Sequence, residues 1–99
     1  AEGTAIKRPV RLAEIIQALR ETNGRTVALT EEQIAAAVRR LAACGLYTEP
    51  TSASAAAAID VLAQRGDIRS TETTVALLTG TGLKSTQFMT GLFADAAVA

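Results

Sequence analysis

Residues 51–63 read Thr-Ser-Ala-Ser-Ala-Ala-Ala-Ala-Ile-Asp-Val-Leu-Ala, a stretch with small or apolar side chains on nearly every side of any helix it forms. The pattern predicts a helix capped by Thr51 or Ser52, running through Ala55, Ile59, Leu62 and Arg65, and closed by Gly66. A helix that is apolar around most of its circumference must be packed on several sides. Ala53, Ala55 to Ala58 and Ala63 therefore predict other elements approaching closely, and the chain has to supply or find them. It has few bulky residues for the purpose: aromatics are 3% of the 99 residues, with no Trp.

Two further helices are legible from period and punctuation. Leu12, Ile15, Ile16 and Leu19 follow Pro9 at helical spacing, and Asn23-Gly24 ends the pattern. Thr30-Glu31-Glu32-Gln33 has the form of a capping box, ahead of a stripe of Ile34, Val38 and Leu41 that Gly45 closes. Cys44 reads as a small packed thiol. Two segments read as strands: Arg25 to Leu29, alternating with Val27 and Leu29 on one side, and Thr73 to Leu78, apolar on both sides and so in need of cover on both. Residues 85–99 are ambiguous between helix and tail, since Phe88, Met89, Leu92 and Phe93 have helical spacing while Thr90 and Gly91 weaken it. The expected fold is a single α/β domain over residues 1–99, a three-layer arrangement of about three helices packed on a small, partly parallel sheet.

Charge and residue usage exclude several functions. Ten acidic residues balance ten basic ones, with no basic stripe to follow phosphates, so nucleic acid is not an expected partner. No apolar span is long enough to cross a membrane, one cysteine cannot form an internal disulfide, and a cytoplasmic location is expected. The chain has no histidine, which removes Ser-His-Asp chemistry and His-ligated metal.

The segment Thr73-Thr-Val-Ala-Leu-Leu-Thr-Gly-Thr-Gly-Leu-Lys-Ser85 runs from the second strand-like stretch into a turn with two glycines. A dinucleotide-binding turn requires a third glycine where this chain has Ser85. A Walker-type loop requires a glycine five positions before Gly82 and a lysine directly after it, and Leu77 and Leu83 occupy those places.

Taken in order, Ala1-Glu-Gly-Thr-Ala5, Glu49-Pro-Thr-Ser-Ala53 and Leu78-Thr-Gly-Thr-Gly-Leu-Lys84 resemble the C-terminal part of the pyridoxal-phosphate enzymes of fold type II, the tryptophan-synthase-β-like superfamily, and within it the threonine synthases. The resemblance covers about residues 1–85. It implies that Thr79, at the end of the last core strand, hydrogen-bonds the coenzyme's pyridine nitrogen. A hydroxyl donates to an unprotonated ring nitrogen, whereas a carboxylate would draw a proton onto it. The resemblance further implies that Gly80 and Gly82 let the backbone turn beside the ring, that Glu49 lies near it at the head of a helix, and that Glu2 and Gly3 belong to a turn re-entering the cleft. The implied substrate is an amino acid, with threonine synthase preferred over a threonine or serine deaminase.

Two parts that such an enzyme needs have no counterpart: the lysine that bonds covalently to the coenzyme and the glycine-rich phosphate loop. Lys7 and Lys84 do not stand in the family's lysine context. The expectation is a piece of a larger lyase, inert alone and not holding the coenzyme stably, with exposed apolar surface and self-association. The competing reading is a stand-alone regulatory or oligomerisation module.

Overall fold

The computed structural model describes residues 1–94. Its elements are α1 (Leu12–Glu21), α2 (Glu31–Ala43), α3 (Pro50–Gln64) and α4 (Thr86–Phe93), with 3-10 turns at Glu2–Thr4 and Gly82–Ser85.

The helices begin and end where local chemistry directs. The Thr30 hydroxyl accepts from the Gln33 N–H at 3.2 Å while the Thr30 N–H donates to Gln33 Oε1 at 2.8 Å, so the capping box at the head of α2 is complete. The main-chain amide of Glu32, and then the Thr30 hydroxyl, hold the Glu32 carboxyl below its ordinary range. Gly45 and Gly66 follow α2 and α3 with φ of 83° and 78°, and Asn23 follows α1 with φ of 52°. Pro50 takes the first position of α3, where its missing N–H costs nothing, and Glu49 rather than Thr51 or Ser52 is the N-cap. Residues 86–93 resolve the ambiguity of the C-terminal segment as helix, and residues 95–99 lie outside the description.

The core is the seam between α2 and α3, closed by α4. Ala37 and Val38 meet Ala53, Ala56 and Ala57 with Met89 laid over them, and Leu29, Leu41, Phe88, Leu92 and Phe93 pack at its edges. Ala53, Ala56 and Ala57 do what the sequence implied, their methyl-sized side chains letting α2 and Met89 come close, whereas Ala55 and Ala58 are half-buried and Ala63 is exposed. Arg40 of α2 also pairs with Asp60 of α3. Both side chains are about half exposed, so this contributes less than about 1 kcal/mol. Cys44 is exposed, contrary to the packed thiol expected, because it stands in the turn after the last residue of α2.

The expected α/β class is overturned. Among the described residues helix predominates and no sheet forms. The only β-type pairing there is an isolated antiparallel bridge between Thr48 and Thr81. The periodicity was sound but the hydrogen bonding is absent. Val27, Leu29, Ala76 and Leu78 are half-buried, whereas Val75 and Leu77 are 86% and 75% exposed. A strand is completed only by a neighbour about 4.8 Å away that takes up its N–H and C=O groups, and neither segment has one among the described residues.

The same shortage leaves α1 uncovered. Leu12, Ile15 and Ile16 are each more than a third exposed, and no residue of α1 is buried. The radius of gyration is 15.0 Å, against about 13 Å for a compact chain of this length. The accessible surface is 7623 Å², where a compact 10 kDa protein has about 5,300 Å².

Candidate functional site

Three segments far apart in the chain meet at the head of α3. The Gly3 N–H donates to Thr51 Oγ1 at 3.1 Å, which seats the Glu2–Thr4 turn on the first turn of the helix. The Glu49 N–H donates to the Gly80 carbonyl at 3.2 Å, and the Gly82 N–H donates to the Tyr47 carbonyl at 3.0 Å. The Thr79 N–H donates to Ser52 Oγ at 2.8 Å. These bonds lay residues 79–82 along residues 47–52 and set Thr79 beside the N-terminus of α3.

The two glycines of the turn permit this contact. A β-carbon on Gly80 would stand 1.8 Å from Glu49 Oε1 and 2.6 Å from its Cδ. One on Gly82 would stand 2.8 Å from the Tyr47 ring and 3.0 Å from Met89 Cε. Both lie well inside ordinary van der Waals separation, so the turn packs this closely only because neither residue has a side chain. Thr79 is exposed and Gly82 is buried, while Gly80 and Glu49 are half-buried.

Beside the turn, a groove of about 600 Å³ runs between the first residues of α3 and of α4, with Glu2, Gly3, Glu49, Thr51, Ser85 and Phe88 on its walls. Of the residues singled out from the sequence, Glu49, Glu2 and Gly3 line it; Thr79, Gly80 and Gly82 do not. No cluster of His, Cys, Asp or Glu among the described residues could hold a metal ion. No helix of the described residues is long and apolar enough to cross a membrane.

The sequence model of the family described as "Pyridoxal-phosphate dependent enzyme" matches residues 1–80. The chain belongs to this pyridoxal-phosphate enzyme family. Among curated proteins it is similar to the threonine synthase of Methanosarcina acetivorans, 36% identical over 88 residues, which are 88% of this chain and 22% of that protein. The threonine synthases of Halalkalibacterium halodurans and Methanocaldococcus jannaschii are 34% and 35% identical over 85 residues, 85% of this chain and 24% and 21% of theirs. The chain thus spans between a fifth and a quarter of the length of these relatives. No solved structure matches it significantly. The likeness to fold type II enzymes of the threonine synthase kind, drawn above from three short segments, therefore holds across most of the chain.

Sequence reasoning missed one residue of this corner, Tyr47, and the tie made by another, Ser52, which it had within the Glu49–Ala53 segment. Ser52 was weighed as a helix cap, yet it is the third residue of α3, 2% exposed, with its hydroxyl on Thr79. A hydroxyl on the core side of an alanine helix was the available signal, because such a group needs a partner. Tyr47, whose ring lies against Gly82, carried no signal in the sequence.

Proposed function

We propose that this chain forms the wall of a pyridoxal-phosphate site on which Thr79 faces the pyridine nitrogen. The whole enzyme would be a lyase acting on an amino acid by elimination or replacement, most like threonine synthase, which converts O-phosphohomoserine to threonine and phosphate. The observation that carries this reading is the meeting of the three segments at the head of α3, with exposed Thr79 pinned by its main chain at 2.8 Å.

The residues present fit the coenzyme. Thr79 offers a hydroxyl donor on an open surface, the group that suits a neutral ring nitrogen. Pyridoxal phosphate, when bound, supplies the electron sink that loosens bonds at the amino acid's α-carbon. Thr79 leaves the ring nitrogen unprotonated and so moderates that sink, in keeping with chemistry at the substrate's side chain. Gly80 and Gly82 hold the turn flat against Glu49 and Tyr47, which fixes where Thr79 stands. Glu49, with its carboxylate over Gly80, bears on the edge of the same site. The covalent lysine and the phosphate loop come from other parts of the enzyme, and this chain alone is inactive. Its uncovered faces, α1 and the Val75–Leu77 side of the turn segment, pack on those other parts, and in the isolated chain they promote self-association.

The test is made on the complete protein reconstituted with pyridoxal phosphate. Thr79→Val should weaken coenzyme binding about fivefold to tenfold, the loss of one hydrogen bond. Thr79→Asp should lower kcat by about tenfold or more and shift the coenzyme's visible band while leaving the unfolding midpoint near that of the parent. Wild-type turnover and an unshifted band in both variants would refute the role given to Thr79.

A further inference from the structure

Ser52 is out of place for its surroundings. It is 2% exposed, next to Ala53, in a helix whose other buried positions are Pro50, Ala56 and Ala57. Taking a hydroxyl out of water is unfavourable unless a partner replaces the lost hydrogen bonds. An alanine at this position would fit the neighbourhood and favour the helix more. The partner that compensates is the Thr79 N–H, 27 residues further on, at 2.8 Å.

The other two ties between the turn and residues 47–52 are of a different kind. Glu49 N–H to Gly80 carbonyl and Gly82 N–H to Tyr47 carbonyl are main chain to main chain, and call on no side-chain hydrogen-bonding group. Both lie on the C-terminal side of Thr79. At Thr79 itself the main chain is held by a side chain, and that side chain is rooted in a helix packed on both α2 and α4. The N–H is one bond from the Thr79 Cα, so the bond to Ser52 limits where the threonine side chain starts from.

We propose that Ser52 is a positioning residue for the coenzyme, its buried hydroxyl fixing the Thr79 main chain on the head of α3 so that the Thr79 hydroxyl is presented at a constant place. This rests on the reading of Thr79 as the pyridine contact, and the experiment keeps the two apart. Displacement of a contact group by about 1 Å is enough to change a rate by orders of magnitude, so a tether of this kind has a functional as well as a structural readout.

The experiment uses the complete protein with pyridoxal phosphate, in the forms Ser52→Ala, Ser52→Thr and Ser52→Cys. Hydrogen exchange at the Thr79 amide reports the tether without reference to the coenzyme. The coenzyme's visible band and its dissociation constant report the positioning. In Ser52→Ala, exchange at Thr79 should quicken by about tenfold or more while amides in the interior of α3 hold their protection. The coenzyme should bind about fivefold more weakly with a shifted band. Ser52→Thr, which keeps the hydroxyl, should restore both. If the alanine form does not fold, Ser52→Cys, slightly larger than serine, fills the position while weakening the acceptor, and the same two signals should move part of the way.

Unchanged exchange at Thr79 in Ser52→Ala, or in Ser52→Cys where alanine fails to fold, overturns the tether. Faster exchange with unaltered coenzyme band and affinity overturns the positioning role. In that case Thr79→Val decides the reading beneath it: if it too is silent, the pyridine contact fails as well, and if it weakens the coenzyme, only Ser52 is misassigned.

Discussion

Replacing Gly80 by alanine places a methyl group where Glu49 now lies. The distances are 1.8 Å to Oε1, 2.6 Å to Cδ and 3.0 Å to Cγ, so a small shift of the carboxylate tip does not suffice. Two responses are open. Glu49 can leave its rotamer, at a cost of about 0.5–1.5 kcal/mol. Alternatively the turn can retreat, which loosens the 3.2 Å bond from the Glu49 N–H to the Gly80 carbonyl, worth about 1 kcal/mol net. Against either stands a gain of about 0.4–1 kcal/mol from the stiffer unfolded chain. The expected net loss for Gly80→Ala is therefore small, about 0.3 kcal/mol, the clash being largely offset. Because the obstacle is one side chain, Glu49→Ala should remove it. That change alone should cost about 0.3–1 kcal/mol through the lost negative charge at the head of α3, since the Glu49 side chain makes no capping hydrogen bond. With alanine at 49, the second substitution at 80 should be stabilising by about 0.4–1 kcal/mol, giving a coupling equal to the clash, about 1 kcal/mol, between the sites. Urea unfolding of the complete protein and its three variants measures this from midpoints at constant slope. Additivity within about 0.5 kcal/mol would refute the close approach of Glu49 to Gly80 and with it the geometry of the turn.

Two other substitutions test the core and the uncovered surface. Ala57→Leu, at a position 1% exposed in the α2–α3 seam, should destabilise by about 1–3 kcal/mol through overpacking, while Ala36→Leu on the exposed side of α2 should stay within about 0.5 kcal/mol. A similar loss for both in chemical denaturation would refute the alanine seam. Ile15, 47% exposed here, is covered in the complete protein on the reading proposed above; Ile15→Lys should then leave the helical circular-dichroism signal of the 99-residue chain essentially unchanged, yet cost the complete protein about 2 kcal/mol or more. Equal small effects in both would show that α1 stays bare.

What could be read in advance followed the range of the hydrogen bonds involved. The capping box of Thr30 and Gln33 and the stops at Gly45 and Gly66 are settled within a few residues, and each was legible. Thr73 to Leu78 has the composition and alternation of a buried strand, but its ladder needs a partner that the described residues do not provide. At the site, Glu49, Thr79, Gly80 and Gly82 came from likeness to a family, because nothing in their local pattern links positions thirty residues apart. The tie from Ser52 to Thr79 was not foreseen because a serine near a helix start looks like a cap until the helix is seen to begin two residues earlier, at Pro50.

Taken alone, the order of residues determined the first three helices, the stops at Gly45 and Gly66, the small-residue seam of α3 and membership of a pyridoxal-phosphate family, since each rests on local geometry or on inherited pattern. Tertiary structure alone decided that Ser52 holds Thr79, that Glu49 lies over Gly80, and that two strand-like segments remain without a sheet. The physical reason is one of distance along the chain: contacts between remote segments depend on which surfaces are present to be covered, and a local pattern does not contain that information.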